Sequence, residues 1–393
     1  MNNTEPTPYA PRPRIALAGG KSGGHVFPAL AVADELGRLG ADVVFFGQEA
    51  GMEARLARRA NVPFVAIEAR PLVGGSPWRK VVALVSLAVN ALRARSRLRL
   101  HGAQAVLGTG GFVSAPTVLG ARLAGLPVFL LEPNAEPGAA NRLLSRVARR
   151  AFVAYPETAE KLHCSSDTTG VPVRRAFFEV SARASSEGEP ALLILGGSQG
   201  AQVLNERLPA LLLGRISAGS VVHQCGAANV QGCVAAWNEA LPKEKGTALA
   251  AEDDGSWSGR AGALEIRVVP FIDDMPGALE MADLVISRAG AITLAELCAA
   301  GRGSILVPLP IAGAHQLHNA RLLEEHGAAI VVEQSAIEQV EEHLDAIQET
   351  PGRVIEMGQA ARRLAKDGAA EKIAGSTLDC LRSETSPVSG VAA

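Results

Sequence analysis

The chain has 393 residues, 48% of them hydrophobic and 20% charged; that composition builds globular cores, excludes general disorder and suits two domains or three. Lys and Arg number 38 against 40 Asp and Glu, for a net charge of −2, and aromatic residues make up only 4%. Binding of nucleic acid by bulk charge or by stacked single strands is therefore excluded as its working principle.

Residues 1–13 are polar and Pro-rich, with no basic stretch leading into an apolar one, and are expected to be a disordered tail rather than a secretory signal. A first domain is expected over residues 14–180. Short runs that are apolar on both faces recur at Ile15–Ala18, Val43–Phe46, Phe64–Ile67, Ala105–Leu107, Val128–Leu131 and Ala151–Ala154, the pattern of buried parallel strands. Helical periodicity separates them, as at Val26–Leu39 and Val113–Ala124. Ser181–Pro190 lacks large apolar residues and reads as a linker. A second domain, 191–366, offers strands at Ala191–Leu195, Val221–Gln224, Ile266–Val269, Leu284–Ser287, Ser304–Val307 and Ala329–Val332. Its helices are expected at Ala201–Leu213, Ile292–Ala300 and Gln316–Glu325. A last helix over 367–383 is expected to return to the first domain, leaving 384–393 as a tail. The fold class is α/β, with two Rossmann-like doubly wound parallel sheets facing an interdomain cleft at the carboxyl ends of their strands, where open sheets bind ligands. Pro242–Gly262 is polar and Gly-rich and reads as a surface insertion without chemistry of its own.

Three glycine turns follow a strand and precede a helix: Gly19-Gly20-Lys21-Ser22-Gly23-Gly24-His25, Gly108-Thr109-Gly110-Gly111-Phe112 and Gly196-Gly197-Ser198-Gln199-Gly200. Glycine permits positive φ and lets backbone amides approach an anion at a helix start. The first turn is neither a phosphate loop of the G-x-x-x-x-G-K type nor a G-x-G-x-x-G fingerprint, so ATP or NAD chemistry does not follow. Any one turn could be a plain strand–helix connection; three at strand ends point to phosphate or pyrophosphate binding. In Ser287–Glu296 the amides of Ala291 to Thr293 would head a helix as donors without helical acceptors, with Glu296 one turn deeper. That carboxylate suits ribose hydroxyls, or it is simply a solvated helix residue. His315–Ala320 opens a further helix whose amide side chains fit either sugar binding or helix-start chemistry. No Asp-x-Asp occurs, and the five cysteines include no C-x-x-C pair, so neither a metal nor a disulfide framework is expected, and a reducing compartment is.

Pro77–Leu100 carries an apolar stripe at helical spacing, Val81, Leu84, Val85, Ala88 and Leu92, preceded by Trp78, Arg79 and Lys80 and followed by Arg93, Arg95, Arg97 and Arg99. A peripheral membrane contact and a core-packed helix with a solvated basic end both fit; periodicity alone favours the core-packed one. No apolar run reaches the roughly 20 residues that a bilayer span requires.

The glycine-rich turn ending in GGH, then GTGGF, EPN-x-x-x-G, GGSQGA, PFIDDM, SRAGAxTLAE and HQLHNA occur in this order over residues 14 to 335. On these motifs the chain resembles the GT-B-fold enzymes of glycosyltransferase family 28. The resemblance implies an inverting transferase that moves GlcNAc from UDP-GlcNAc to the C4 hydroxyl of MurNAc in undecaprenyl-pyrophosphoryl-MurNAc-pentapeptide (lipid I), giving lipid II for peptidoglycan, with no cofactor. It implies a donor site mainly in the second domain: Ala291, Ile292, Thr293, Leu294 and Ala295 toward the diphosphate, Glu296 on the ribose and Ile272 on the uracil. Ser198 and Arg174 would approach the diphosphate and uridine, Gln316 and Asn134 the sugar, and Ser22, Gly23 and Gly24 would line the interlobe side. The first domain's glycine turns would take the acceptor pyrophosphate, with Gly110, Gly111, Phe112 and Gln199 as acceptor-side candidates. His25 is the candidate base; orienting its loop or binding the acceptor are the alternatives. The partners implied are UDP-GlcNAc, lipid I and, through Pro77–Leu100, the cytoplasmic face of the inner membrane. A diacylglycerol glycosyltransferase and a UDP-GlcNAc 2-epimerase share the fold and remain alternatives; the epimerase would want carboxylates flanking the anomeric centre, and none stands so. The chain departs from the family pattern at Lys21-Ser22, where one small residue is usual, and at Phe112, where Tyr is common.

Overall fold

The computed structural model describes residues 12–70, 77–182, 190–197, 199–242, 244, 246–310, 315–350 and 352–385. Ser198, most of both expected tails and the middle of the expected linker lie outside the described residues. The chain divides into two compact units: the first holds the chain up to Lys21, His25–Arg174 and everything from Gly368, and the second holds Arg175–Asp367 with Ser22–Gly24.

The first unit alternates strands and helices: β1 (Arg14–Ala18), α1 (Gly23–Arg38), β2 (Asp42–Gly47), α2 (Met52–Arg59), β3 (Phe64–Ala66), α3 (Pro77–Leu100), β4 (Ala105–Gly108), α4 (Gly111–Ala124), β5 (Val128–Glu132), α5 (Ala139–Leu144), β6 (Arg150–Val153), α6 (Pro156–Ala159) and β7 (Ser165–Thr168). All seven strands run parallel in the order β3-β2-β1-β4-β5-β6-β7. Ile15 to Ala18, Val106, Leu107, Leu130 and Leu131 are completely buried, as helices on both faces of a parallel sheet require. The strand β7, sequence Ser-Ser-Asp-Thr, was not expected: it is a polar edge strand without the apolar signal of its neighbours.

The helix α3 corrects the core-packed reading of Pro77–Leu100. It turns Ala83, Ala91, Ala94 and Leu98 inward. A Cβ on Gly120 of α4 would stand 2.7 Å from the Ala91 carbonyl oxygen, so the two helices meet backbone to backbone over small residues. The apolar stripe faces outward instead: Trp78 is 73% exposed, and Val81, Leu84, Val85, Val89 and Leu92 are all exposed as well.

The second unit runs β8 (Ala191–Leu195), α7 (Gln202–Leu213), β9 (Ala218–Gln224), α8 (Val230–Ala240), β10 (Gly246–Ala251), β11 (Trp257–Ala261), β12 (Ala263–Val269), α9 (Met275–Met281), β13 (Leu284–Ser287), α10 (Ala291–Ala300), β14 (Gly303–Leu306), α11 (His315–Glu325), β15 (Ala329–Val331), α12 (Gln339–Glu349) and α13 (Arg353–Leu364). Its eight strands are ordered β10-β11-β12-β9-β8-β13-β14-β15, parallel except for the antiparallel β10-β11-β12 ribbon. Pro242–Gly262 is therefore no loop: it supplies a hairpin that extends the sheet. Between β9 and α8 packs a polar knot inside the core. Trp237 Nε1 donates to His223 Nδ1 at 3.1 Å, His223 Nε2 lies 3.0 Å from Asn205 Oδ1, and Asn205 Nδ2 donates to the Cys225 carbonyl at 3.0 Å. Arg302 is 2% exposed and donates to the carbonyls of Leu279 (2.6 Å), Ala300 (3.1 Å) and Ser181 (2.9 Å), fixing the segment that enters this unit to the ends of α9 and α10. The last helix, α14 (Ala369–Thr385), belongs to the first unit, where Arg150 donates to Ser376 at 3.4 Å and Ile373, Ala374 and Leu378 are buried.

Candidate functional site

In the first sheet, β1 leads toward β2 on one side while its other neighbour β4 leads toward β5. Such a switch point opens a crevice at the carboxyl ends of the two strands. Both strands end there in glycine turns, with Ala18 paired to Gly108. Thr109 joins the turns: its amide donates to the Ala18 carbonyl at 2.8 Å and its hydroxyl to the His25 carbonyl at 2.7 Å. His25, half-buried in the first turn of α1, holds Nδ1 2.8 Å from the Thr109 carbonyl oxygen. That oxygen only accepts, so Nδ1 carries the proton and Nε2 keeps its lone pair. Burial lowers the His25 pKa below the ordinary value, the Lys21 charge adds to that, and Glu132 opposes it; the ring is neutral at pH 7. Gly110 and Gly111 take φ 96° and 72°. A Cβ on Gly110 would stand 3.1 Å from His25 Cε1, and one on Gly111 3.1 Å from the Gly20 carbonyl oxygen. Glycine at these two positions is what lets the turns and the imidazole meet. Phe112, next in chain, lies under Lys21 Nζ, 5.7 Å from ring centroid to cation.

Two buried carboxylates that the sequence reading did not single out frame this crevice. Glu53, fully buried, accepts from the amides of Gln48 (3.0 Å) and Lys21 (3.3 Å). Glu132, 1% exposed, accepts from the Asn134 amide (3.1 Å) and Asn134 Nδ2 (2.8 Å) through one oxygen, and from the Gly138 amide (2.9 Å) and Asn141 Nδ2 (3.0 Å) through the other. Asn134 is thereby oriented, with its side-chain N–H committed to Glu132. Asn141 places Nδ2 3.0 Å from the position of a Gly110 Cβ, and its buried Oδ1 has no hydrogen-bond partner among the described residues. Glu132 does stand in the EPN motif; Glu53 and Asn141 lie outside every motif, and only the fold brings them to the turns. Ser22, Gly23 and Gly24 open α1, and Arg174, half-buried, closes the first unit's run of chain.

In the second sheet, β8 and β13 form the corresponding switch point, with Leu195 paired to Ser287. The turn after β8 closes tightly: the Gly196 amide donates to the Gln224 carbonyl and the Gly200 amide to the Gly197 carbonyl, each at 3.0 Å. A Cβ on Gly200 would stand 2.1 Å from the Cys225 carbonyl oxygen, so no side chain fits there. Asn229 Nδ2 supports the turn from the Gln199 carbonyl at 2.9 Å, and the Gln199 side chain is exposed. After β13, Gly290 caps α10, and the Leu294 amide is the first to find a helical acceptor, the Gly290 carbonyl at 3.0 Å. The amides of Ala291, Ile292 and Thr293 thus head the helix at its positive end. Glu296, half-buried and interacting, and Ala295 follow one turn on. Arg288, missed in the sequence, donates to the Val307 carbonyl (3.0 Å) and Gln334 Oε1 (2.7 Å), and burial lowers its pKa; it ties the exit of β14 to that of β13. Gln316 in α11 accepts from the Leu309 amide at 3.0 Å, and Asn319, one turn on and 2% exposed, has a buried Oδ1 without a hydrogen-bond partner among the described residues. Ile272 is half-buried in the connection from β12 to α9. The turn at Gly196–Gly200, the start of α10, Ile272 and Gln316 therefore all follow carboxyl ends of strands in one sheet. Among the described residues no group of three or more His, Cys, Asp or Glu side chains is arranged to hold a metal.

Comparison with known proteins covers both units. Residues 15–153 match the glycosyltransferase family 28 N-terminal domain and residues 191–373 its C-terminal domain. A relative from Nitrosococcus oceani, named UDP-N-acetylglucosamine–N-acetylmuramyl-(pentapeptide) pyrophosphoryl-undecaprenol N-acetylglucosamine transferase, is 39% identical over 379 residues, 93% of this chain and 98% of its own. A protein of the same name from Solibacter usitatus is 39% identical over 363 residues, 91% of this chain and 93% of its own. Among solved structures, MurG of Acinetobacter baumannii matches with a TM-score of 0.70 at 34% identity, covering 94% of this chain and 100% of that one. The UDP-GlcNAc 2-epimerase of Neisseria meningitidis bound to UDP-GlcNAc matches with a TM-score of 0.61 at 13% identity, covering 93% and 100%, which is likeness of fold alone.

Proposed function

This chain belongs to glycosyltransferase family 28, and we propose that it transfers N-acetylglucosamine from UDP-N-acetylglucosamine to the C4 hydroxyl of the N-acetylmuramyl group in pyrophosphoryl-undecaprenol-linked acceptor, lipid I, making lipid II for peptidoglycan synthesis. The observation that carries this reading is the 39% identity along 93% of the chain to an enzyme named for that transfer. The two-domain α/β architecture is the GT-B one that such enzymes use. The epimerase alternative rests on likeness of fold at 13% identity, and nothing favours the diacylglycerol one.

The proposed chemistry is a single displacement with inversion: the acceptor hydroxyl attacks the anomeric carbon as UDP departs through an oxocarbenium-like state. It requires a base for the hydroxyl proton and positive potential for the departing diphosphate. His25 suits the first need, because its Nδ1 is pinned to Thr109 and its neutral ring leaves Nε2 available. The head of α10 suits the second, since Ala291, Ile292 and Thr293 present amides and the helix dipole together, with Leu294 and Ala295 continuing that turn. In this reading Arg174 and Ser198 assist at the diphosphate and uridine, Ile272 meets the uracil, Glu296 holds the ribose hydroxyls, and Gln316 and Asn134 hold the sugar. Ser22, Gly23 and Gly24 complete the donor contacts. The first unit takes the acceptor pyrophosphate, with Gly110, Gly111, Phe112 and Gln199 as the acceptor-side residues.

A lipid-anchored acceptor asks for a membrane contact, and the outward stripe of α3 fits one: six large exposed apolar side chains from Trp78 to Leu92, followed by the exposed cations Arg93, Arg97 and Arg99. Apolar side chains entering the headgroup boundary beside cations that attract anionic lipid is how peripheral helices bind. We place that contact at the cytoplasmic face of the cell membrane, where UDP-sugar is available. Among the described residues no helix is long and apolar enough to cross a membrane. The test is transfer of label from UDP-[14C]GlcNAc into lipid I, with UDP as co-product. Label appearing only in diacylglycerol, or conversion to UDP-ManNAc, refutes the reading.

A further inference from the structure

The turn after β1 contains four glycines, yet the position in it that takes a left-handed backbone is Lys21, at φ 76°. Side chains with a Cβ rarely hold that conformation, glycine holds it freely, and such outliers gather at binding sites because the surrounding structure maintains them. Here the maintenance is visible: the Lys21 amide donates to Glu53 Oε2 at 3.3 Å, and buried Glu53 is itself fixed by the Gln48 amide at 3.0 Å. The side chain that this strained backbone supports is exposed, and its Nζ lies 5.7 Å from the centre of the Phe112 ring. Phe112 directly follows the Gly110-Gly111 turn, so the ammonium bridges the two turns at the β1/β4 switch point, beside His25. Its charge acts on the imidazole, where it disfavours protonation.

An exposed ammonium over a half-buried phenyl ring is held weakly. A phosphate oxygen, with opposite charge and a lone pair, outcompetes the ring for it. We propose that Lys21 is a cationic anchor for the acceptor's diphosphate, with Phe112 holding the ammonium in place until that diphosphate arrives. This rests on the assignment of the acceptor to the first unit's glycine turns. It gives the two departures from the family pattern, Lys21 and Phe112, one joint purpose. The cation also stands beside His25, where it adds a small push to the burial that already disfavours protonation of the ring.

Steady-state kinetics with a soluble, short-chain lipid I analogue test this, using full-length wild type, Lys21→Gln, Lys21→Gly and Lys21→Arg. Loss of one charge-assisted contact raises the acceptor KM of Lys21→Gln and Lys21→Gly by about tenfold or more. The KM for UDP-GlcNAc stays at the wild-type value, and Lys21→Arg keeps the acceptor KM within about threefold, since it retains the charge. Acceptor KM rises less steeply with salt in Lys21→Gln than in wild type, because one ionic contact is gone. Melting temperature separates anchoring from packing: Lys21→Gly relieves the left-handed strain, so it melts no lower than wild type while binding acceptor worse. The proposal is overturned if both neutral variants keep the wild-type acceptor KM, if Lys21→Arg behaves like Lys21→Gln, or if the KM rise comes with a drop in melting temperature. A wild-type enzyme that transfers nothing to this acceptor overturns the functional reading first, and this inference with it.

Discussion

Removing the apolar side chains that α3 turns outward separates membrane attachment from folding. Leu84 and Leu92 are 56% and 55% exposed, so less than half of each is covered, and polar replacements there cost the fold about 1 kcal/mol each. Full transfer of a leucine side chain from water to an apolar phase is worth roughly 1.5–3 kcal/mol. A little over half of each is available to a membrane, so the double variant Leu84→Ser/Leu92→Ser forfeits about 2–3 kcal/mol of attachment. At 1.4 kcal/mol per factor of ten this weakens partitioning by about thirtyfold to a hundredfold. The assay is co-sedimentation with vesicles containing anionic lipid, paired with transfer measured on bilayer-embedded lipid I and on a soluble short-chain analogue. Activity on the embedded acceptor falls with partitioning, and activity on the soluble one stays at the wild-type level. Raised salt weakens the remaining attachment, because Arg93, Arg97 and Arg99 contribute through screened charge. Wild-type partitioning by the double variant, or equal loss of activity on both acceptors, refutes the assignment of α3 to the membrane.

His25→Gln lowers kcat by about 10²–10⁴, the range of general-base catalysis, and leaves the KM for UDP-GlcNAc unchanged; a loss below about tenfold removes His25 from that role. Because burial depresses the His25 pKa, the acid limb of the wild-type rate profile begins below the ordinary histidine value of about 6.5, and a limb centred above it contradicts the geometry. Stability of the second unit falls on acidification, because burial pushes the His223 pKa down to about 3 while the unfolded value is about 6.5. The unfolded chain therefore binds the proton first, so the neutral ring's full contribution holds above pH 6.5 and drains away as the pH falls toward 3. Between pH 7 and pH 5 the cost is about 2 kcal/mol, measured as urea unfolding followed by Trp237 fluorescence; identical unfolding midpoints at the two pH values count against a buried neutral His223. Arg302→Met leaves the buried Ala300 carbonyl without its side-chain donor, takes one of two donors from the buried Leu279 carbonyl and releases that of Ser181, and costs about 1–3 kcal/mol, read as a lower melting temperature for the second unit; an unchanged melt rules out that clamp.

The strands and the site differ in how far the sequence carried them. Twelve strands were legible because most are buried on both faces, and burial writes itself into a run such as Leu192–Leu195 as continuous apolarity, while β12 alternates exposed and buried residues and was legible from its apolar end. Strand β7 (Ser165–Thr168) and the β10–β11 hairpin were not, since edge and surface strands keep polar or small residues and their pairing comes from neighbours distant in sequence. The glycine turns, the head of α10 and the residues of HQLHNA were legible for a similar reason: close backbone approach and helix-start geometry demand particular residues locally. Glu53, Asn141 and Arg288 were not, because a buried charge or amide acquires meaning only from the groups folded around it.

The α/β class, the apolar strand runs and the positions of the glycine turns were set by the sequence alone, through local rules of burial, φ and hydrogen bonding. Which way α3 faces was not. Its periodicity defines an apolar stripe, but a stripe says nothing about what lies opposite it. Gly120 of α4 and the alanines of α3 decided that by letting two backbones close to within contact on the other side, and so they left the larger apolar side chains outside. The same holds at the crevice: the sequence supplied His25, Lys21 and Phe112, and only the pairing of β1 with β4 brought the two turns that carry them within reach of one another.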